Sequence, residues 1–170
     1  MTHPTTLPAG LPAWTLRALS TLTCAATALL LAHDGVRAPT LTLYALISLA
    51  AITIPASAAP ALGIGVAAAA LAFTEGGPFR PAVLAMIVLL HLFHLTSALT
   101  ALTPPRSRLH LSALKGPARR FALTQLLTST LVVVTAFLPS GGTEPAVEVA
   151  GLLAATGLAT AAVLLMRPRS

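Results

Sequence analysis

Long apolar stretches, each closed by a short polar or proline-bearing interval, divide the chain from end to end. A helix that crosses a bilayer needs about 20 mainly apolar residues, with a range of about 17 to 25. On that measure the pattern predicts spans over about 12–32, 39–55, 60–74, 82–103, 119–138 and 146–166. The first begins with Pro12, which suits an opening helical turn, and places Trp14 near an interface; His33-Asp34-Gly35 closes it. Arg119 and Arg120 stand at the entry of the fifth span and Pro139-Ser140-Gly141-Gly142 at its exit.

The uncharged run from Pro39 to Thr74 is the ambiguous stretch. As one helix it would measure about 54 Å against about 30 Å of hydrocarbon, a mismatch that tilt does not absorb. Pro55 and Pro60 flank Ala56-Ser57-Ala58-Ala59, so two short helices joined by a turn are preferred to one long broken helix. The expected fold is therefore an all-α integral membrane protein, a bundle of six short transmembrane helices or alternatively five. It forms a single domain over 1–170 with a basic cytoplasmic loop at 104–118.

Composition strengthens this picture. Only 8% of residues are charged while 56% are hydrophobic, and a chain of 170 residues leaves too much surface exposed to hide that excess in a water-soluble core. The absence of Asn and the single Lys match the codon usage of a GC-rich bacterium, which implies the cytoplasmic (inner) membrane as the location. The run from Ala13 to Ala32 is interrupted only by Arg17 and is longer than a signal-peptide core, so it is expected to be a retained first span. Thr21-Leu22-Thr23-Cys24 lacks the small residue a lipoprotein cysteine needs before it, which leaves Cys24 as a packing residue. One cysteine also excludes an internal disulfide and a multi-cysteine metal site.

Charge placement sets the threading. Arg106, Arg108, Lys115, Arg119 and Arg120 crowd into one segment without an acid. Positive segments stay in the cytoplasm, which puts this strip and the Arg167/Arg169 tail inside and the Glu75 loop outside. Six spans place the N-terminus inside and five place it outside; the basic residues do not separate the two. The acids lean toward six, since Asp34, Glu75, Glu144 and Glu148 then all fall at the outer side. The net charge of +6 does not point to nucleic acid, because no aromatic residues alternate with the cations as a stacking platform requires.

Chemistry is sparse. His91 and His94, three apart on one helix, share a face and are the one local pair able to bind something. They lack a third ligand at matching depth, so interhelical hydrogen bonding is the expected role and no metal or cofactor is assigned. Gln125 is the other strongly polar group within a span and is expected within reach of His94. No carboxylate lies mid-span, which argues against proton-coupled transport, and the Ser-His-Asp arrangement of a hydrolase is missing. Small residues at helical spacing (Gly63, Ala67, Ala70 and Gly151, Ala155, Ala159) are expected to let helices approach closely.

The functional expectation is a small non-catalytic membrane protein, an accessory or scaffold subunit of a larger complex. Its contact strip is Arg106, Arg108, Lys115, Arg119 and Arg120, facing anionic headgroups and an acidic protein partner. The alternative is a carrier or channel for a small solute, with His91, His94 and Gln125 along its path. A haem- or metal-binding redox protein comes third.

Overall fold

Prolines set the helix starts and the computed structural model shows where each helix stops; it describes residues 10–75, 79–104 and 106–136, with side chains as far as 133. Helix α1 runs over Trp14–His33, α2 over Ala38–Thr53, α3 over Ala59–Ala72, α4 over Pro81–Leu102 and α5 over Leu111–Ala136. In α2, α3 and α4 a proline occupies one of the first two positions, where its missing N–H costs no helical bond. Two short strands, β1 (Leu11–Pro12) and β2 (Arg108–Leu109), complete the described residues. The described residues are thus all-helical apart from this strand pair, and two of their helices, α1 and α4, are long and apolar enough to cross a membrane.

Helix α1 ends where Gly35 takes φ 84°, a left-handed conformation that glycine adopts without a Cβ penalty. The Val36 N–H then donates back to the Leu31 carbonyl at 3.0 Å, closing the turn. The uncharged run 39–74 is divided by the turn at 54–58. There the Ser57 hydroxyl donates to the Ile54 carbonyl (2.7 Å) and accepts from the Ala59 N–H (3.2 Å), so one side chain ties the end of α2 to the start of α3.

Two features at opposite ends fix the helix directions. At the clasp end, β1 pairs antiparallel with β2, Leu11 opposite Leu109, and the Ala13 N–H donates to the Ser107 carbonyl at 3.1 Å. A Cβ on Gly10 would lie 2.6 Å from the Leu109 carbonyl oxygen, so only glycine fits that approach. At the other end, Arg80 meets Asp34 across an ion pair of 3.1 Å. Helix α1 therefore starts at the clasp end, and α4 returns to it. The connections alternate, giving four antiparallel helices with residues 10–13 on the same side as the α4–α5 connection. Helix α4 packs along α1 and touches α3 and α5, while α2 packs on α3 and α1.

One expected boundary is corrected. The basic segment 104–118 is a loop only as far as His110; α5 begins at Leu111 and carries Lys115, Arg119 and Arg120. Ala, Leu, Lys and Arg are strong helix formers. Pro117 sits in the second turn of α5, so the bond it removes is the one to the Ala113 carbonyl near the helix start. The sixth expected span, 146–166, and Gly151, Ala155 and Ala159 lie outside the described residues.

The interior is unusually polar for helices this apolar. Leu31, Tyr44, Ala67, Leu71 and Met86 form one buried cluster, and Cys24, Ala51 and Phe93 a second. Ser20, Thr23, Thr27, Ser48, Thr96, Ser97 and Thr100 are buried beside them. Leu22, Leu29, Leu46 and Leu49 instead point outward, each at least 60% exposed. Gly63 and Ala67 of the small-residue face are buried against neighbouring helices, with Ile47 and Phe93 at van der Waals distance from the Gly63 position.

Candidate functional site

The clasp end gathers cations. Arg106, Arg108, Lys115, Arg119 and Arg120 are all exposed, and none forms a salt bridge or side-chain hydrogen bond among the described residues. Strand pairing holds Arg108 beside Pro12, and α5 projects Lys115 and Arg119 four residues apart, on one helical face. Arg17, one turn into α1, adds to the same end. No acid joins them there among the described residues, so their local field is positive and favours an anionic surface.

Burial differs sharply across the predicted intramembrane cluster. His91 is half-buried and its ring lies 4.8 Å from that of Phe121 on α5, tilted by 40°. His94 is exposed on the outside of α4. Gln125 borders a small cavity of about 90 Å³ lined by Leu84, Ile87 and Val88 of α4, toward the opposite end from His94. None of the hydrogen bonds among the described residues joins any two of these three. Antiparallel packing explains the separation: α5 runs away from the clasp end, so each step from Phe121 to Gln125 moves toward the start of α4. The contact expected between Gln125 and His94 does not form. No group of three or more His, Cys, Asp or Glu side chains able to hold a metal occurs among the described residues.

Two arrangements were not legible from the sequence. The first is a hydroxyl-rich interior shared by α1, α2 and α4. Thr23, Thr96 and Thr100 donate to carbonyls one turn back in their own helices, at 2.7 to 3.0 Å. Ser20, Thr27, Tyr44 and Ser48 are buried without a partner at hydrogen-bonding geometry. The Tyr44 hydroxyl lies among Thr27, Cys24 and Ser48. The signal was present as Ser20, Thr23 and Thr27 on one side of α1, a polar stripe on an apolar helix.

The second is the ion-pair end. The Arg80 guanidinium donates to the Leu71 carbonyl (2.9 Å), to the Glu75 carbonyl and to the Thr74 hydroxyl, besides pairing with Asp34. Thr74 in turn reaches Asp34 Oδ2 at 3.0 Å. This one side chain therefore caps the carboxyl end of α3, precedes the first residue of α4, and holds the end of α1. Beside it a cleft of about 770 Å³ opens between α2 and α3. Asp34, Arg37, Thr74 and Glu75 stand at its polar part, and Leu43, Val66, Ala69 and Phe73 line its apolar part. In the sequence these charges look like scattered loop residues, because 40 positions separate Thr74 from Asp34.

Comparison of the chain with protein-family models, with curated proteins and with solved structures finds no match.

Proposed function

We propose that the chain is a multi-pass integral protein of the bacterial cytoplasmic membrane that acts as a non-catalytic subunit, docking another protein through its basic end. The bundle is the six-span form, with α1 to α4 crossing the bilayer and the clasp end in the cytoplasm. The observation that carries the membrane reading is the outward-facing surface: large apolar side chains such as Leu22, Leu29, Leu46 and Leu49 are exposed on the helices while seven Ser and Thr side chains are buried between them. Only 33% of the apolar window in α1 and 28% of that in α4 is buried, unlike the core helix of a water-soluble fold. Helices apolar on all sides need either a protein coat or lipid. The even number of helices between β1 and β2 supports six spans over five, since it puts both strands on one side. Trp14, 64% exposed at the clasp end, sits where an aromatic residue anchors at a headgroup layer.

The docking role rests on the unpaired basic strip. Lipid headgroups respond to charge alone, each residue contributing about 1 kcal/mol whether Lys or Arg supplies it. A partner that presents carboxylates distinguishes the two through the bidentate guanidinium. Replacing Arg106, Arg108, Arg119 and Arg120 by lysine is expected to leave the protein in carbonate-washed membranes, with reporters at Ser57 and Ser112 still cytoplasmic, and to weaken recovery of a co-purifying partner. Full recovery of every partner from the all-lysine variant refutes docking and leaves a topology signal. An external reporter at Ser57 refutes the six-span threading.

The alternative, passage of a small neutral solute, is favoured by one observation: the hydroxyls of Ser20, Thr27, Tyr44 and Ser48 are buried inside the bundle without a partner at hydrogen-bonding geometry among the described residues. Such a path runs between α1 and α2 and away from His94 and Gln125.

A further inference from the structure

The cleft at the ion-pair end combines features that a simple packing defect does not explain. Its volume of about 770 Å³ falls within the range of about 300–1,000 Å³ typical of ligand sites. One half is apolar, formed by Leu43 on α2 and Val66, Ala69, Ala70 and Phe73 on α3. Leu43 is 49% exposed and Phe73 90%, so this half opens sideways and not only along the helix axes. The other half carries charge of both signs: Asp34, Arg37 and Glu75. Asp34 is already neutralised by Arg80 and Thr74. That leaves one free cation, Arg37, and one free carboxylate, Glu75, facing the same space among the described residues.

We propose that this cleft holds one zwitterionic glycerophospholipid, with its phosphate at Arg37, its headgroup ammonium at Glu75 and the upper part of an acyl chain along Leu43, Val66 and Phe73. The inference rests on the membrane reading, which puts this end at the outer headgroup layer. Charge complementarity selects the occupant. An anionic lipid meets Arg37 but is repelled by Glu75, whereas a zwitterion satisfies both without leaving either unpaired in a partly apolar site. The sideways opening selects a lipid over a soluble zwitterion, since an apolar wall that faces hydrocarbon is reached by a chain already in the membrane. Arg80 has a positioning role: by tying the carboxyl end of α3 to Asp34, it holds Glu75 at the same cleft as Arg37, whose residue opens α2.

The test uses the full-length protein in dodecyl maltoside, incubated with equal amounts of phosphatidylethanolamine and phosphatidylglycerol, with retained lipid counted by native mass spectrometry. The unaltered protein is expected to retain phosphatidylethanolamine over phosphatidylglycerol by about tenfold, a ratio that one charge-assisted contact sustains. Glu75→Gln removes the repulsion and the ammonium partner, and is expected to bring the ratio close to one while lipid remains bound. Arg37→Gln is expected to reduce both lipids. Neither side chain makes a hydrogen bond that holds the fold, and Arg80 uses only the backbone carbonyl of residue 75, so both variants are expected to fold. Equal retention of the two lipids by the unaltered protein overturns the proposal, as does an unchanged ratio in Glu75→Gln. Displacement of the lipid by an equal concentration of O-phosphoethanolamine, which has no chain, also overturns it in favour of a soluble zwitterion. A protein released from membranes by carbonate fails the underlying membrane reading; one that stays in the membrane without lipid preference fails only the cleft.

Discussion

The two ends of the bundle handle charge in opposite ways. At the ion-pair end, Arg80 is consumed internally: a carboxylate, a hydroxyl and two carbonyls surround it, and its side chain is only 17% exposed. At the clasp end, Arg106, Arg108, Lys115, Arg119 and Arg120 face outward without an acid. The same residue type therefore does two jobs. Where arginine sits beside helix carboxyl ends it satisfies carbonyls that have no helical partner and joins three helices. Where it sits before α5 or on the exposed face of its opening turns, it has no partner among the described residues. The strip gains nothing from the helix, since none of its cations lies in the last turn of α5, where the dipole favours positive charge.

The largest effect is expected at the ion-pair end. Arg80→Met leaves the Asp34 carboxylate without its counter-charge and the Glu75 carbonyl without its donor, while the Thr74 hydroxyl still reaches Asp34 and the Leu71 carbonyl, so the loss should be about 2 kcal/mol, below the range for a fully buried pair. Thermal unfolding in detergent checks this. The double change Asp34→Leu/Arg80→Met should recover part of the loss, because no uncompensated charge then remains. A single change that leaves the melting temperature unaltered would show that both ends treat arginine as a surface charge, and the contrast would dissolve.

A smaller effect is expected at the clasp. Gly10→Ala drives a Cβ to 2.6 Å from the Leu109 carbonyl oxygen, so β1 must move off β2 at about 1 kcal/mol, the low end for overpacking. Cross-linking between Leu11→Cys and Leu109→Cys is the direct readout, efficient while Gly10 is kept and weak once Gly10→Ala is added. Undiminished cross-linking would show that the basic strip is not pinned to the start of α1.

The smallest effect is expected between the ends. His91→Ala removes a ring contact with Phe121 and should cost about 0.6 kcal/mol, a typical value for one polar interhelical interaction. His94→Ala, on the exposed side, should cost less. A greater loss for His94 than for His91 would reverse the packing assignment of α4 against α5.

Much of the helix pattern was legible because it depends on local chemistry. Pro39, Pro60 and Pro81 fix helix starts through their missing N–H, and Gly35 fixes a stop through its left-handed backbone. The start of α5 lies earlier than the charge pattern suggests, because Lys and Arg are good helix formers and Pro117 falls early enough to be tolerated. The candidate site was largely illegible. His91 and His94 share a helix face in sequence, yet helical spacing does not say what lies opposite; Phe121 meets one, and the other has no described neighbour ring. The polar cluster at the ion-pair end joins two chain segments, Asp34 and the stretch from Leu71 to Arg80, that lie far apart in sequence, and no local pattern announces their meeting.

What the sequence determined by itself was the helical character, the helix starts at proline and the segregation of cations, since backbone restriction, residue propensity and composition act within a few residues. Only the tertiary structure decided that α1 and α4 pair antiparallel, that Leu11 meets Leu109, and that Arg80 closes on Asp34 beside a cleft carrying Arg37 and Glu75. The physical reason is that helices apolar on nearly every side carry little periodic mark of their packing face, the hydroxyl stripe of α1 being an exception. Which side turns inward is then chosen by side-chain shape and by the few polar atoms that must find partners, and both depend on residues distant in the chain.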